Sequence, residues 1–339
     1  MYIMRKAFFY CFLLITIFIF QSCNSDSLMP STAGSPYEVL VVMNDNQWKS
    51  ESGKALFDML GSNTPGIAQT ENMFDISRIN PKDFTDVIRI TRNVVIAEIS
   101  DIYSGSKITY KRDVWASPQV VIKITAPDNE AFLKAVKKYE EDITEFIVSA
   151  EISRQIDYYK KFYNTEISQK ATNLFGVQVN IPSNLIKSKE STDFFWASSM
   201  STDVRQDIII YSYPYTDPKT FTKEFLLQKR DSILKEHIPG PVKGSYMATE
   251  YKFEPTFKEI WKNKRYCAEI RGWWKVEGDL MGGPFISHSQ LDEINHRVIT
   301  IEGFVYAPGY NKRNYIRQLE AVVYSIKLPQ DIKTKNDKN

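Results

Sequence analysis

Residues 128–174, DNEAFLKAVKKYEEDITEFIVSAEISRQIDYYKKFYNTEISQKATNL, decide how the chain divides. Phe132, Ala135, Val136, Tyr139, Ile143, Phe146, Ile147 and Ala150 recur every three or four residues, the period of a helix with one apolar stripe. The pattern continues through Ile156, Tyr159 and Tyr163 toward Leu174, with no Gly or Pro to stop it. Asp128, just after Pro127, is placed to accept the first free backbone N–H groups. A helix this long is more than one small sheet can cover, so the spacing predicts one that kinks or bridges two domains. Phe175-Gly176-Val177 is its predicted end, and VQVNIP then opens a second run of strands.

Upstream, Tyr37–Met43, Met73–Ile79, Asn93–Ile99 and Val120–Ala126 read as strands, rich in β-branched residues. Gly53–Leu60, ended by Gly61, and Pro81–Arg89 read as helices. Downstream, strands are expected at Leu185–Lys189, Phe194–Ser198 and Asp207–Tyr213. A helix follows at Lys219–His237, stopped by Pro239-Gly240-Pro241. Ser245–Lys252 and Thr256–Trp261 are expected to pair with each other. Arg265–Trp274 alternates, with Tyr266, Ala268 and Ile270 on one side and Arg265, Cys267, Glu269 and Arg271 on the other. After the strand His296–Tyr306, Asn311 opens a last helix whose apolar face is Tyr315, Ile316, Leu319, Val322, Val323 and Ile326. Strands clustered before helices predict the α+β class, with two domains of antiparallel-rich sheets flanked by helices and joined by the long helix. The expected units are an α/β-type domain over 37–174, an α+β domain over 175–328 and a disordered polar tail over 329–339.

The first residues set the compartment. Arg5 and Lys6 precede an apolar run, AFFYCFLLITIFIF, over Ala7–Phe20, and Gln21-Ser22-Cys23 follows. A basic start, an apolar stretch and a small residue before a cleavage point make a signal peptide of residues 1–22. The run has 14 residues, and a membrane-spanning helix needs about 20. Cys23 directly after Ser22 is similar to a bacterial lipoprotein box, relaxed by Ile19 and Phe20, in which the cysteine carries the lipid. Residues 23–36 then form a Ser/Pro/Gly-rich tether. Its expected role is to let the body stand clear of the bilayer, held by acyl chains at about 0.8 kcal/mol per buried CH₂.

Composition narrows the partners. The chain has 339 residues with 43 Lys+Arg and 41 Asp+Glu, and losing Arg5 and Lys6 with the signal leaves 41 against 41. Such a balance carries no electrostatic footprint for nucleic acid or for an anionic membrane surface. The expected partners are a membrane, through the lipid, and an envelope protein or glycan. Of three cysteines, Cys11 leaves with the signal and Cys23 is acylated, so Cys267 has no disulfide partner. With 13% aromatics, the fold is expected to rest on burial.

Chemistry-bearing residues are few. His288, Asp292 and His296 are spaced by four, which on a helix would put imidazole and carboxylate on one face as a zinc set. The flanking segments read as strands, so the plainer reading is a hairpin turn. Cys267 with His288 or His296 is a candidate thiolate pair, against a buried structural thiol. Trp273 and Trp274, beside Arg271 and Lys275, could stack a sugar or peptide, but tryptophans in strands more often pack. Tyr211, Tyr213 and Tyr215 form a stripe, beneath a helix or exposed for binding. Gly282-Gly283-Pro284 lacks the Lys-Ser/Thr of a phosphate loop and reads as a turn. No cofactor is expected beyond the lipid on Cys23.

PYEVLVVM, RDVWASPQVVIKITAP, RGWWKVEGDLMGGPF and GFVYAPGYNKRNYIRQLEA, with the relaxed lipoprotein box, resemble an uncharacterised family of Bacteroidetes-type envelope lipoproteins of unknown function. The second half also looks loosely like a PsbP/Mog1-type α+β sandwich. The resemblance implies an outer-membrane, lipid-anchored place and transfers no catalytic residue. The expected role is a non-catalytic binding or assembly module. The alternative is an envelope hydrolase or metal-dependent enzyme with a site near 267–296.

Overall fold

A computed structural model describes residues 29–336. Cys23 and the signal stretch 1–22 lie outside the described residues. The architecture is α+β, with two domains.

The first domain runs β1 (Glu38–Val42), α1 (Asp45–Trp48), α2 (Glu51–Leu60), β2 (Asp75–Ile79), α3 (Asp86–Arg89), β3 (Asn93–Ile99), β4 (Lys107–Arg112) and β5 (Val120–Ala126). Its sheet has the order β2-β1-β3-β5-β4. All pairings are parallel except the edge strand β4. The antiparallel character expected from the sequence is therefore confined here to one edge. Val39 and Val41 of β1 enter one core with Ile122 and Ile124, and Leu40 and Val42 enter a smaller one on the opposite face. Burial on both faces explains the continuous apolar run EVLVV. Pro81–Arg89 is not one helix but a 3₁₀ turn over Pro81–Asp83 followed by the single turn α3.

The stretch 128–174 is three helices rather than one: α4 (Asn129–Lys138), α5 (Glu140–Lys161) and α6 (Thr165–Phe175). Tyr139 leaves helical geometry at φ −112°, ψ 17°. At the second break, Asn164 caps α6 by accepting from Ile167 N at 3.1 Å. That polar residue outweighs an apolar period which passes through both breaks, because a capping side chain satisfies an otherwise open backbone donor. Asp128 caps α4 in the same way, and Gly176 ends α6 at φ +68°. The bridging role belongs to α5. Its Ile143 and Ile147 sit in the first core, and its Ile152 and Tyr159 in the second. Ile167, Ala171 and Phe175 of α6 also lie in the second core.

The second domain continues with β6 (Lys187–Ser191), β7 (Phe194–Ser198), β8 (Arg205–Pro214), α7 (Lys223–His237), β9 (Tyr246–Thr249), β10 (Thr256–Lys262), β11 (Arg265–Glu277), β12 (Gly282–Asp292), β13 (Arg297–Tyr306), α8 (Arg313–Ser325) and α9 (Pro329–Asn336). The antiparallel sheet is ordered β10-β11-β12-β13-β8-β7-β6. β9 and β10 do not pair with each other; each pairs with a different half of β11. One face, with Ile208, Ile210, Ile299 and Ile301, packs under α8 and α6. The other, with Ile209, Tyr211, Val298 and Phe304, packs under α7. Helix α8 lies close to the sheet because residue 303 is glycine. A Cβ there would meet Leu319 Cβ at 2.7 Å. Each fully buried Leu or Val of α8 contributes about 1.5–3 kcal/mol.

Two expectations about the chain's ends change. The segment 329–336 is helical, with Leu328 buried, Gln330 Nε2 donating to Leu291 O at 2.8 Å and Arg265 paired to Asp331 at 2.6 Å. The described part of the tether is docked rather than free. Pro30 O accepts from Ser117 N at 2.9 Å, Ala33 N donates to Ile90 O at 2.9 Å, and Arg92 N donates to Ala33 O at 3.0 Å. Backbone groups satisfied in this way hold a low-complexity segment that has no apolar period of its own.

The domains are joined by charge as well as by α5. Glu71, in the first domain, stands at the amino end of α8 and accepts from Lys312 N and Arg313 N. Arg313 in turn reaches Asp75 Oδ2 at 2.6 Å and Asn72 O at 2.9 Å.

Candidate functional site

The densest set of titratable side chains lies between β11, β12 and α8. Period-two alternation sends Cys267, Glu269 and Arg271 of β11 toward α8, and the register sets Glu269 directly opposite His288 of β12. Residues 317, 320 and 324 fall on one stripe of α8, so Arg317, Glu320 and Tyr324 come down onto them.

Every oxygen of Glu269 is engaged. Oε1 accepts from Arg271 Nε at 2.8 Å, and Oε2 accepts from Tyr324 OH at 2.7 Å and binds His288 Nε2 at 2.9 Å. Arg271 continues to Glu320 through Nη2, and Glu320 Oε2 accepts from Arg317 Nη1 at 2.7 Å. Burial alone would raise the Glu269 carboxyl, but Arg271 and His288 outweigh it and hold it well below the carboxylate range. Burial likewise works against the Glu320 charge and is overcome by Arg271 and Arg317. The His288 imidazole is pushed down by burial, against the pull of its bond to Glu269. With Glu269 ionised, Nε2 carries the proton. Nδ1 is then a buried lone pair with no hydrogen-bond partner.

This set has acid and base groups but no way in. His288 is 0% exposed and Glu320 is 1% exposed. A general base must reach the proton it removes, and here each partner is another side chain of the cluster. Cys267 shares the sheet face, but burial pushes its thiol up to about 12, against the thiolate a nucleophile needs. The imidazole that could activate it is committed to Glu269. Beside it, burial lowers the Lys262 ammonium to about 8, and its Nζ donates to Val323 O at 3.3 Å.

The zinc candidates do not converge. His288 and Asp292 lie on strand β12, not in the turn, about 13 Å apart at a rise of ~3.3 Å per residue. Asp292 Oδ2 is taken by Asn295 Nδ2 at 2.7 Å and Arg297 Nε at 3.0 Å. His296 is exposed in the turn, at φ +50°. Among the described residues no group of three or more His, Cys, Asp and Glu is placed to hold a metal ion.

The aromatic candidates divide. Trp274 is core and donates Nε1–H to Val305 O at 3.1 Å. Tyr211 and Tyr213 are buried under α7, with Tyr213 against Phe225 and Lys229. Trp273 is half-buried, its ring 5.9 Å from that of the exposed Phe253. On the same face as the two tyrosines lies a second buried pair. Arg230 of α7 and Glu302 of β13 meet in a two-pronged bond of 2.7 Å on each arm.

One open concavity, about 540 Å³, lies over β4 and β5 in the first domain. Its polar lining is largely bonded to itself. Tyr103 OH donates to Glu98, Lys123 Nζ pairs with Glu98 at 2.9 Å, and Thr125 Oγ1 reaches Lys107 O at 3.4 Å.

Residues 32–160 match a family model described as Domain of unknown function (DUF8532). Residues 164–325 match one described as Domain of unknown function (DUF4837). The first match begins within the docked part of the tether, and the two abut at the break between α5 and α6. No curated protein matches the chain. No helix among the described residues is long and apolar enough to cross a membrane.

Proposed function

We propose that this chain is a cell-envelope protein, held to a membrane by a lipid on Cys23, whose folded body is a non-catalytic binding or assembly module. The observation that carries the second half is the closure of the Glu269–His288–Arg271–Glu320 cluster. Each charge is met by a side chain of the protein, and the face that would have to admit a substrate is roofed by α8. Such a cluster fixes the packing of a helix on a sheet and leaves recognition to the outer surface. The first half rests on the basic, apolar and cysteine order of residues 5–23. An antiparallel sheet between helices also supports the PsbP/Mog1-type likeness of the second half.

Capture of the protein from detergent-solubilised envelopes is expected to bring down a stoichiometric envelope protein or glycan. The rival, an enzyme near 267–296, predicts a different outcome. Stoichiometric zinc in the purified protein, lost in His288→Ala, would overturn the non-catalytic reading.

A further inference from the structure

We infer that one corner of the first domain faces the bilayer: the corner built from Met29–Ser31, the α3 turn with Ile90, and the loop Asp113–Pro118. The inference rests on lipidation of Cys23 and adds to it an orientation.

The reach of the tether sets the orientation. A chain spans at most about 3.3–3.6 Å per residue. Were residues 24–36 all free, the body could stand about 45 Å from the acylated sulfur. Docking removes most of that freedom. Pro30 is bonded to Ser117, and Ala33 to Ile90 and Arg92, so only the six steps from Cys23 to Met29 remain. They cover about 20 Å at full extension. A body of this size is on the order of 50 Å across, so the Pro30 corner stays near the lipid surface whatever the chain does.

That corner carries exposed apolar side chains and exposed cations. Met29 is 49% exposed and Val87, on α3, is 81% exposed. Lys111 and Arg112 are exposed where β4 ends, beside the start of β5, and Arg89 lies in the α3 turn. Arg89 pairs with the exposed Asp86 at 2.8 Å and Asp113 is exposed in the loop, so the corner presents apolar side chains among charges of both signs, and it is the short reach from Cys23 that turns it to the lipid. The opposite, carboxyl end of the sheet is carried at least the length of β3 away. Seven residues make about 20 Å. Ile102, 79% exposed, marks that far end.

The full-length, lipidated protein supplies the test, reconstituted into vesicles of phosphatidylethanolamine and phosphatidylglycerol with a headgroup nitroxide quencher. Val87→Cys and Ile102→Cys each take one thiol-reactive fluorophore, since Cys267 is buried and Cys23 is acylated. Flotation with the vesicles reads the anchor, and quenching reads the orientation. The expected result is flotation of both variants with quenching several-fold greater at residue 87 than at 102. A 20-residue Gly/Ser insertion after Asn24 is expected to reduce that difference. Flotation with equal quenching at the two positions, or greater quenching at 102, would overturn the orientation while leaving the anchor standing. Failure to float, or floating unchanged after Cys23→Ser, would remove the anchor and the orientation together.

Discussion

The carboxylate of Glu71 accepts the backbone N–H of Lys312 on both of its oxygens, at 2.9 and 2.8 Å, across 241 residues of sequence. Helix α8 has no side-chain cap of its own, and the first domain supplies one. A carboxylate at a helix amino end answers both the open N–H groups and the helix dipole.

Glu71→Ala is therefore expected to lower stability by about 1–2 kcal/mol, with Glu71→Gln losing less because the amide oxygen still accepts. Urea unfolding followed by tryptophan fluorescence checks this. An unchanged midpoint in Glu71→Ala would mean that the cap contributes nothing.

Acid should weaken the fold first through His288. Its folded pKa lies below the unfolded value of 6.5, so the unfolded chain takes up the proton more readily. The stability it contributes is complete above about pH 6.5 and is lost as pH falls through that value toward the folded one. The imidazole faces Glu269 and Arg271 of β11, Lys262 of β10 and Tyr324 of α8. Glu269 and Glu320, both depressed, add losses that begin as pH falls through the usual carboxylate value and continue below it. Urea midpoints between pH 7 and 5 should fall in the parent and run flatter in His288→Gln.

Arg230 and Glu302 are both sealed under α7. Burial opposes the guanidinium charge, but Glu302 outweighs it and holds the group ionised. Removing one partner leaves an uncompensated charge, so Arg230→Met is expected to cost about 3–5 kcal/mol. The double variant Arg230→Met/Glu302→Leu should recover much of that loss. A double-mutant cycle by chemical denaturation checks it, and simple additivity would be the contrary result.

The Cys267 thiol should react with an aromatic disulfide reagent at pH 8 only as fast as the protein opens. Burial and a pKa of about 12 leave almost no accessible thiolate. Rapid modification in the absence of denaturant would contradict the placement of this side chain.

The fold class, most strands and the apolar face of α8 were legible because burial on one side leaves a period in the sequence. The three-helix form of 128–174 was not. Tyr139 and Asn164 interrupt a stripe whose apolar residues never lose phase, and a capping side chain betrays only the second break. The cluster was half legible. Alternation separated Cys267, Glu269 and Arg271 from the apolar side of β11, but that polar stripe looks the same whether it meets water or a helix. The roof comes from Arg317, Glu320 and Tyr324, whose spacing marks a second, polar stripe on a helix otherwise read by its apolar one. Glu71 left no local signal, since its partner lies at the far end of the chain.

The span of α5 across both cores bears on how the polypeptide is made. As the chain emerges, Ile152 and Tyr159 are exposed until the later strands and α8 arrive to cover them. Glu71 and Asp75 wait equally long for Lys312 and Arg313. Completion of the amino-terminal half thus depends on the last segments translated. A product cut short before Arg313 would carry a sticky flank and an unsatisfied acidic pair, marks by which a protease could tell an unfinished copy from a finished one.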